Sequence, residues 1–254
     1  VSFEIERLAM SAWPADEVEE VEGWWLRRTE GVNRRRSNSL LPPVDSGEAV
    51  RTIEMALARA EELGFEEVVQ VSPAEVHLQL DQALEDRGMR FGGQTYVLAG
   101  PIGAGRAARA HLRPSAHAPA AAAGVRLGGL EQAWVDAWAT VGGGDGAQAT
   151  ADLVLSQLGQ RARFARVDAP EGEPIAVGIG VVEDGWLGVF SLTVAPAERR
   201  RGWATAIMDA LEGWAGGAGA RQVYLQVEAD NDAALTLYAR RGMHVAHSYH
   251  YRAT

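Results

Sequence analysis

Hydrophobic and polar positions alternate in short strand-like runs that trade places with helical runs, and the same order occurs twice. In the first half, Trp24–Arg28 and Arg34–Leu41 read as strands across a turn at Thr29–Asn33. A helix follows at Gly47–Leu63, a strand at Glu66–Val71, a helix at Ala74–Asp86 and a strand at Gln94–Leu98. In the second half, Leu130–Val141 and Ala149–Leu158 read as helices and Arg161–Val167 as a strand, with a turn at Pro170–Gly172. Strands at Ile175–Val182 and Trp186–Val194 flank the tight turn Glu183-Asp184-Gly185, a hairpin signal. The spacing of Ile207, Met208, Leu211 and Trp214 predicts a helix after Gly202. A strand ending near Val227, a helix carrying Tyr238, and final strands over Met243–Arg252 complete the pattern. The expected fold class is mixed α/β.

Between the halves, residues 100–124 are small, proline-bearing and short of large apolar side chains, which is a linker composition. The expected division is therefore a domain at 1–100, a linker at 101–124 and a domain at 125–254. A chain of 254 residues can hold two modest domains, and 47% hydrophobic with 23% charged residues is ordinary for a globular protein. Cysteine is absent, which removes disulfides, thiolate metal sites and a cysteine acyl-enzyme. No apolar run approaches a membrane span and the acidic start does not resemble a signal peptide, so a cytoplasmic location is expected. A net charge of −10 argues against general nucleic-acid binding and is compatible with a cationic amine as partner. His244, His247 and His250 fall at three-residue spacing on one strand, where alternation turns neighbours to opposite faces, so no metal is expected.

The densest chemistry lies between Val189 and Gly242. Leu192, Thr193 and Val194 end an apolar strand, Pro196 stops its ladder, and Arg199, Arg200 and Arg201 lead into Gly202, Trp203, Ala204 and Thr205 at a helix start. A helix start offers unpaired amides and a positive dipole end, both favourable to phosphate oxygens. Gly202 and Ala204 let a ligand approach the backbone closely. The competing reading is a plain strand–turn–helix corner with solvated arginines.

Arg199-x-x-Gly202-x-Ala204 resembles the Arg/Gln-x-x-Gly-x-Gly/Ala loop of the GNAT superfamily of acyl-CoA transferases. Asn231, Ala233, Ala234, Leu237, Tyr238 and Gly242 are similar to that family's Asn-x-x-Ala…Leu-Tyr…Gly helix, and the likeness covers roughly residues 125–252. The resemblance implies a GNAT fold with acetyl-CoA as cosubstrate and no metal. It implies that the amides of Arg200 to Thr205 cradle the pyrophosphate. It implies that Val194 pairs with the pantetheine arm at the end of the Leu192–Val194 strand. Asn231 and Ala234 would sit along the coenzyme, and Tyr238 would protonate the departing thiolate. Without the family, a tyrosine beside Leu235 and Leu237 reads as packing. Direct transfer also needs a base. Gln226 stands where many peptide N-terminal acetyltransferases of the superfamily carry glutamate, and Glu228, two residues on, is the nominated substitute; Glu183 and Asp184 are weaker candidates.

The doubled element order invites a search for an internal repeat. Arg87-Gly88-Met89 recurs as Arg241-Gly242-Met243, 154 residues on, an offset that places Leu84 at Tyr238 and His77 at Asn231. The turn after Pro42-Pro43 keeps Gly47 and Ala49 but carries Asp45 and Glu48 instead of arginines, and carboxylates would repel a pyrophosphate. The expectation is two GNAT-like domains in tandem, the first degenerate and without a coenzyme site. The expected function is direct acetyl transfer to an amine of a small molecule or peptide. The alternatives are a coenzyme-binding sensor or partner-binding module, and a protein lysine or N-terminal acetyltransferase. Arg34-Arg35-Arg36 could read an anionic part of an acceptor, and Trp13, Trp24 and Trp25 could floor a pocket or pack a core; the oligomeric state stays open.

Overall fold

A computed structural model describes residues 1–105 and 124–254; most of the expected linker lies outside the described residues. Contacts divide the chain into two units that interleave. The N-terminal unit holds Val1–Val97, Val227–Asn231 and Val245–Thr254, and the C-terminal unit holds Leu98–Gln226 and Asp232–His244. The division expected at 1–100 and 125–254 therefore does not follow the chain simply. The last strand, expected in the second half, belongs with the first because it pairs there, as described next.

In the N-terminal unit, helix α1 (Ser2–Ala12) buries Ile5, Leu8, Ala9 and Ala12, one helical face. Strands β1 (Glu17–Val21), β2 (Trp24–Arg28) and β3 (Ser39–Leu41) form an antiparallel meander. Helix α2 (Ser46–Glu62) then carries the chain to β4 (Val68–Val71), which runs parallel to β3. Helix α3 (Leu78–Asp86) and strand β5 (Arg90–Pro101) follow, and β11 (His244–Ala253) pairs antiparallel with β4 from His250 to Ala253. The core gathers Trp24, Leu26, Leu40, Ile53, Val69 and Leu84, all at most 1% exposed. The strand expected over Arg34–Leu41 is reduced to three residues. Asn38 explains this: its side chain accepts from Thr29 N at 2.8 Å and donates to Val32 O at 2.6 Å and Arg34 O at 3.2 Å, which holds residues 29–38 as a loop.

In the C-terminal unit, β6 (Arg126–Gly128), β7 (Ala162–Asp168), β8 (Pro174–Glu183) and β9 (Trp186–Val194) are antiparallel neighbours. Between β6 and β7 run α4 (Gln132–Trp138), a π-turn at Ala139–Gly143, and α5 (Ala147–Leu153) followed by 3-10 turns to Arg161. The helix expected over Ala149–Leu158 thus starts and stops earlier, and Gly159, at φ 53°, kinks the 3-10 stretch. Helix α6 (Trp203–Gly217) leads to β10 (Gln222–Glu228), parallel to β9, and then to α7 (Asp232–Ala239). Two glycines of β8 let α6 lie flush on the sheet. A Cβ at Gly178 would stand 2.8 Å from Ile207 Cγ2, and one at Gly180 2.9 Å from Leu211 Cδ2.

The repeat is structural as well as sequential. The pairs β4 and β10, α3 and α7, and β5 and β11 begin at Val68 and Gln222, Leu78 and Asp232, and Arg90 and His244, each 154 residues apart. Helices α3 and α7 end in the same Schellman turn. Met89 N donates to Leu84 O and Met243 N to Tyr238 O, both at 3.1 Å, while Gly88 and Gly242 bond to Glu85 and Ala239. Both glycines are left-handed, at φ 81° and 77°. An ion pair recurs too: Arg87 with Glu54 of α2, and Arg241 with Asp209 of α6.

Candidate functional site

The parallel ladder between β9 and β10 runs from Trp186–Gln222 to Val189–Leu225, yet β9 continues to Val194. Just past the ladder's end, β9 carries a bulge. Phe190 faces Ile179 and Thr193 faces Val177, so Ser191 and Leu192 share Gly178, with Ser191 left-handed at φ 49°. A bulge of this kind bends a strand and ends pairing. Leu192, Thr193 and Val194 are half-buried on this stretch. The π-turn backs directly onto it, since a Cβ at Gly142 would stand 2.7 Å from Thr193 Cγ2.

The turn from β9 into α6 is built from backbone. Ala195 N holds Ile175 O at 2.8 Å, a 3-10 turn spans Pro196–Glu198, and Arg199 is extended. Arg200 and Gly202 are both left-handed, at φ 66° and 88°. No side chain caps α6, and the first helical bond runs from Ala206 N to Gly202 O at 3.0 Å. The amides before Ala206 have no helical acceptor upstream and sit at the positive end of a 15-residue helix. Arg199 lays its Nε 3.4 Å from Val194 O and is otherwise exposed, like Arg200. Sequence reading missed Glu198. It accepts two bonds from Arg201, each 3.0 Å, and one from the Trp203 indole at 3.3 Å. The cue was the Glu-Arg-Arg-Arg run, in which an i,i+3 partner for Arg201 was visible. With Glu198 paired to one arginine, two arginine charges remain at the turn beside Ala204 and Thr205, both half-buried.

Tyr238 lies on α7 and is buried; burial pushes its phenol up to about 12, against a smaller opposing effect of the Arg241 cation. Arg241, singled out only as part of the repeat, has a side chain 2% exposed and donates to Asp209 at 2.9 Å and Glu212 at 2.6 Å. Glu212 in turn accepts from Gly103 N at 2.9 Å, so Arg241 pins α6 to the end of α7. Ala234 and Gln226 are half-buried on α7 and β10. Glu228 and Asn231 are exposed, joined by Asn231 N to Glu228 O at 3.0 Å, and belong by contacts to the N-terminal unit.

Elsewhere, His247 bonds Glu6 and His250 bonds Asp81, each at 2.6 Å, while His244 is exposed. Trp13 and Trp24 are core, and Trp25 is 39% exposed. Among the described residues, no helix is long and apolar enough to cross a membrane and no group of three or more His, Asp or Glu could hold a metal.

Residues 133–243 match the family model described as the acetyltransferase (GNAT) family. Over that stretch, just under half of its length, the chain is similar to GNAT acetyltransferases. An uncharacterised N-acetyltransferase of Bacillus subtilis (strain 168), YobR, is 36% identical over 77 residues, 30% of this chain and only 31% of that protein. The GNAT fold extends over both units. A GCN5-related N-acetyltransferase from Kribbella flavida superposes with a TM-score of 0.66 at 17% identity, covering 100% of this chain and 95% of that one. A tandem GNAT protein from the clavulanic acid biosynthesis pathway gives 0.61 at 10% identity, covering 98% and 87%.

Proposed function

We propose that the protein is an acetyl-CoA-dependent N-acetyltransferase, catalytic through its C-terminal unit, that transfers the acetyl group directly to an amine of a small molecule or peptide in the cytoplasm. The N-terminal half is read as a degenerate GNAT-like domain without a coenzyme site. The observation that carries this reading is the uncapped α6 entrance, left-handed at Gly202 and flanked by Arg199 and Arg200. Bound there, acetyl-CoA would supply a thioester activated for attack by an amine. The amides of Arg200–Thr205 would hold its pyrophosphate, and the unladdered end of β9, Leu192–Val194, would line its pantetheine arm.

Tyr238 is proposed as the group that assists thiolate departure. A phenol near 12 is fully protonated at neutral pH. Complete proton transfer to a free thiolate of pKa about 8.5 would be uphill by roughly 5 kcal/mol. We therefore assign Tyr238 a hydrogen bond to the departing sulfur rather than a completed proton transfer. Asn231 and Ala234 as coenzyme contacts, and Glu228 as base, rest on residue type and chain position alone.

The test is release of free thiol from acetyl-CoA in the presence of mixed primary amines. Amine-dependent release is expected. Coenzyme binding without release from any amine would favour the sensor reading, for which Gln226 is the supporting residue; release only with protein substrates would favour the protein acetyltransferase.

A further inference from the structure

A groove of about 780 Å³ lies within the N-terminal unit, lined by the β2–β3 loop, the segment Gly64–Val68 and the end of β11. That volume is in the range of small-molecule sites. Its charged lining is of both signs: Arg28, Arg34 and Arg35 from the first segment, Glu30 from the same loop, and Glu66 and Glu67 from the second. Arg28 is already committed, donating to Glu17 at 3.2 Å and Glu30 at 3.3 Å.

Arg35 is placed differently. Its guanidinium carbon stands 5.5 Å from the centre of the Tyr251 ring. Its NH1 lies 3.1 Å from where a Cβ of Gly92 would be, so it packs closely over that glycine. Tyr251 is buried and burial holds its phenol far above the usual tyrosine range, so the ring is a neutral face. Among the described residues no carboxylate pairs with Arg35. The loop carrying it is fixed by the three Asn38 bonds, by Asp16 N on Thr29 Oγ1 at 3.0 Å and by the Trp13 indole on Ser37 at 3.0 Å. A planar, always-charged fork is thus pre-oriented by stacking on a rigid loop, with its donors left for a ligand.

We propose that this groove binds a small zwitterion of free amino-acid size, its carboxylate on Arg35 and its ammonium group held by Glu66 and Glu67. Guanidinium matches a carboxylate in a two-bond fork. A polyphosphate is disfavoured, because Glu30, Glu66 and Glu67 would repel it. The site does not depend on the coenzyme reading of α6.

The test titrates the full-length chain by calorimetry and NMR with glycine, 4-aminobutanoate and 6-aminohexanoate, and with hexanoate and hexylamine as single-charge controls. At least one zwitterion should bind, about tenfold or more tighter than either control (about 1.4 kcal/mol). Arg35→Gln, checked for fold by its melting temperature, should weaken it about tenfold or more, and Arg35→Lys, which keeps charge but loses the fork, by less. The double change Glu66→Gln with Glu67→Gln gives an independent loss, and Gly202→Glu should leave binding intact. No binding by any zwitterion, equal binding by hexanoate, or unchanged affinity in Arg35→Gln would each overturn the proposal.

Discussion

The turn from β3 into α2 and the turn from β9 into α6 answer the same topological demand in opposite ways. Each follows an antiparallel meander and opens a helix that leads to a parallel strand. At α2 the Asp45 carboxylate accepts from Glu48 N at 2.7 Å, so the helix supplies its own anion. At α6 no side chain caps the helix, and a left-handed glycine leaves the amides open. One entrance is closed for stability, and the other is kept open at a cost in capping energy, which is the pattern of a site that waits for a ligand. The second element of each repeat shows the same contrast. Leu84 is fully buried where Tyr238 brings a phenol, and Arg87 is a surface residue where Arg241 is buried.

That contrast can be broken in order of expected effect. Arg241→Met should be the most damaging. It strips the cation from Asp209 and Glu212, the latter 7% exposed, and a stranded buried charge costs about 3–5 kcal/mol. Arg87→Met, its counterpart, should cost no more than about 1 kcal/mol, as exposed pairs do. Urea denaturation of both variants measures the difference, and equal losses would end the contrast between buried Arg241 and exposed Arg87. Tyr238→Phe comes next. Turnover should fall about tenfold or more, while the Kd for acetyl-CoA stays within about twofold. Equal turnover would leave Tyr238 a packing residue, as Leu84 is in the first half.

Asp45→Ala should cost about 1 kcal/mol through the lost cap and should create no second coenzyme site, since Glu48 remains in the first turn to repel a pyrophosphate. A gain of acetyl-CoA affinity at the N-terminal unit would show that Asp45 alone had closed it. The smallest effect is confined to acid. Burial pushes the Asp81 carboxyl up, but hydrogen bonds from Arg252 and His250 outweigh it and hold the group below its ordinary value. A lowered folded pKa contributes stability above the unfolded value of about 3.9, lost as pH falls through the folded value. Loosening of β11 from α3 below about pH 4 is therefore expected, and Asp81→Asn should flatten that limb of a pH-melting curve.

Most of the element order was legible because periodicity and turn residues mark it locally. The hairpin at Glu183-Asp184-Gly185, the α6 face and the Arg-Gly-Met repeat all rest on near neighbours. Elements that depend on remote partners were not legible. The edge strand β1 is largely exposed and shows little alternation, and the loop at residues 29–38 is held by Asn38 rather than by its own pattern. The placement of β11 beside β4 joins residues nearly 180 apart, from His250 to Val71, which no local signal encodes. At the site, the helix start was readable from Gly202 and the apolar face that follows it. Of the two partners of Glu198, Arg201 was visible at i,i+3, but the Trp203 indole was not, because that bond depends on a side-chain geometry set by the 3-10 turn.

The central claim is one open helix entrance and one closed. It is tested most directly by calorimetric titration of the full-length chain with acetyl-CoA, alongside Gly202→Glu. One coenzyme per chain, lost in Gly202→Glu, is the expected result. A stoichiometry of two, or affinity unchanged by Gly202→Glu, would contradict it.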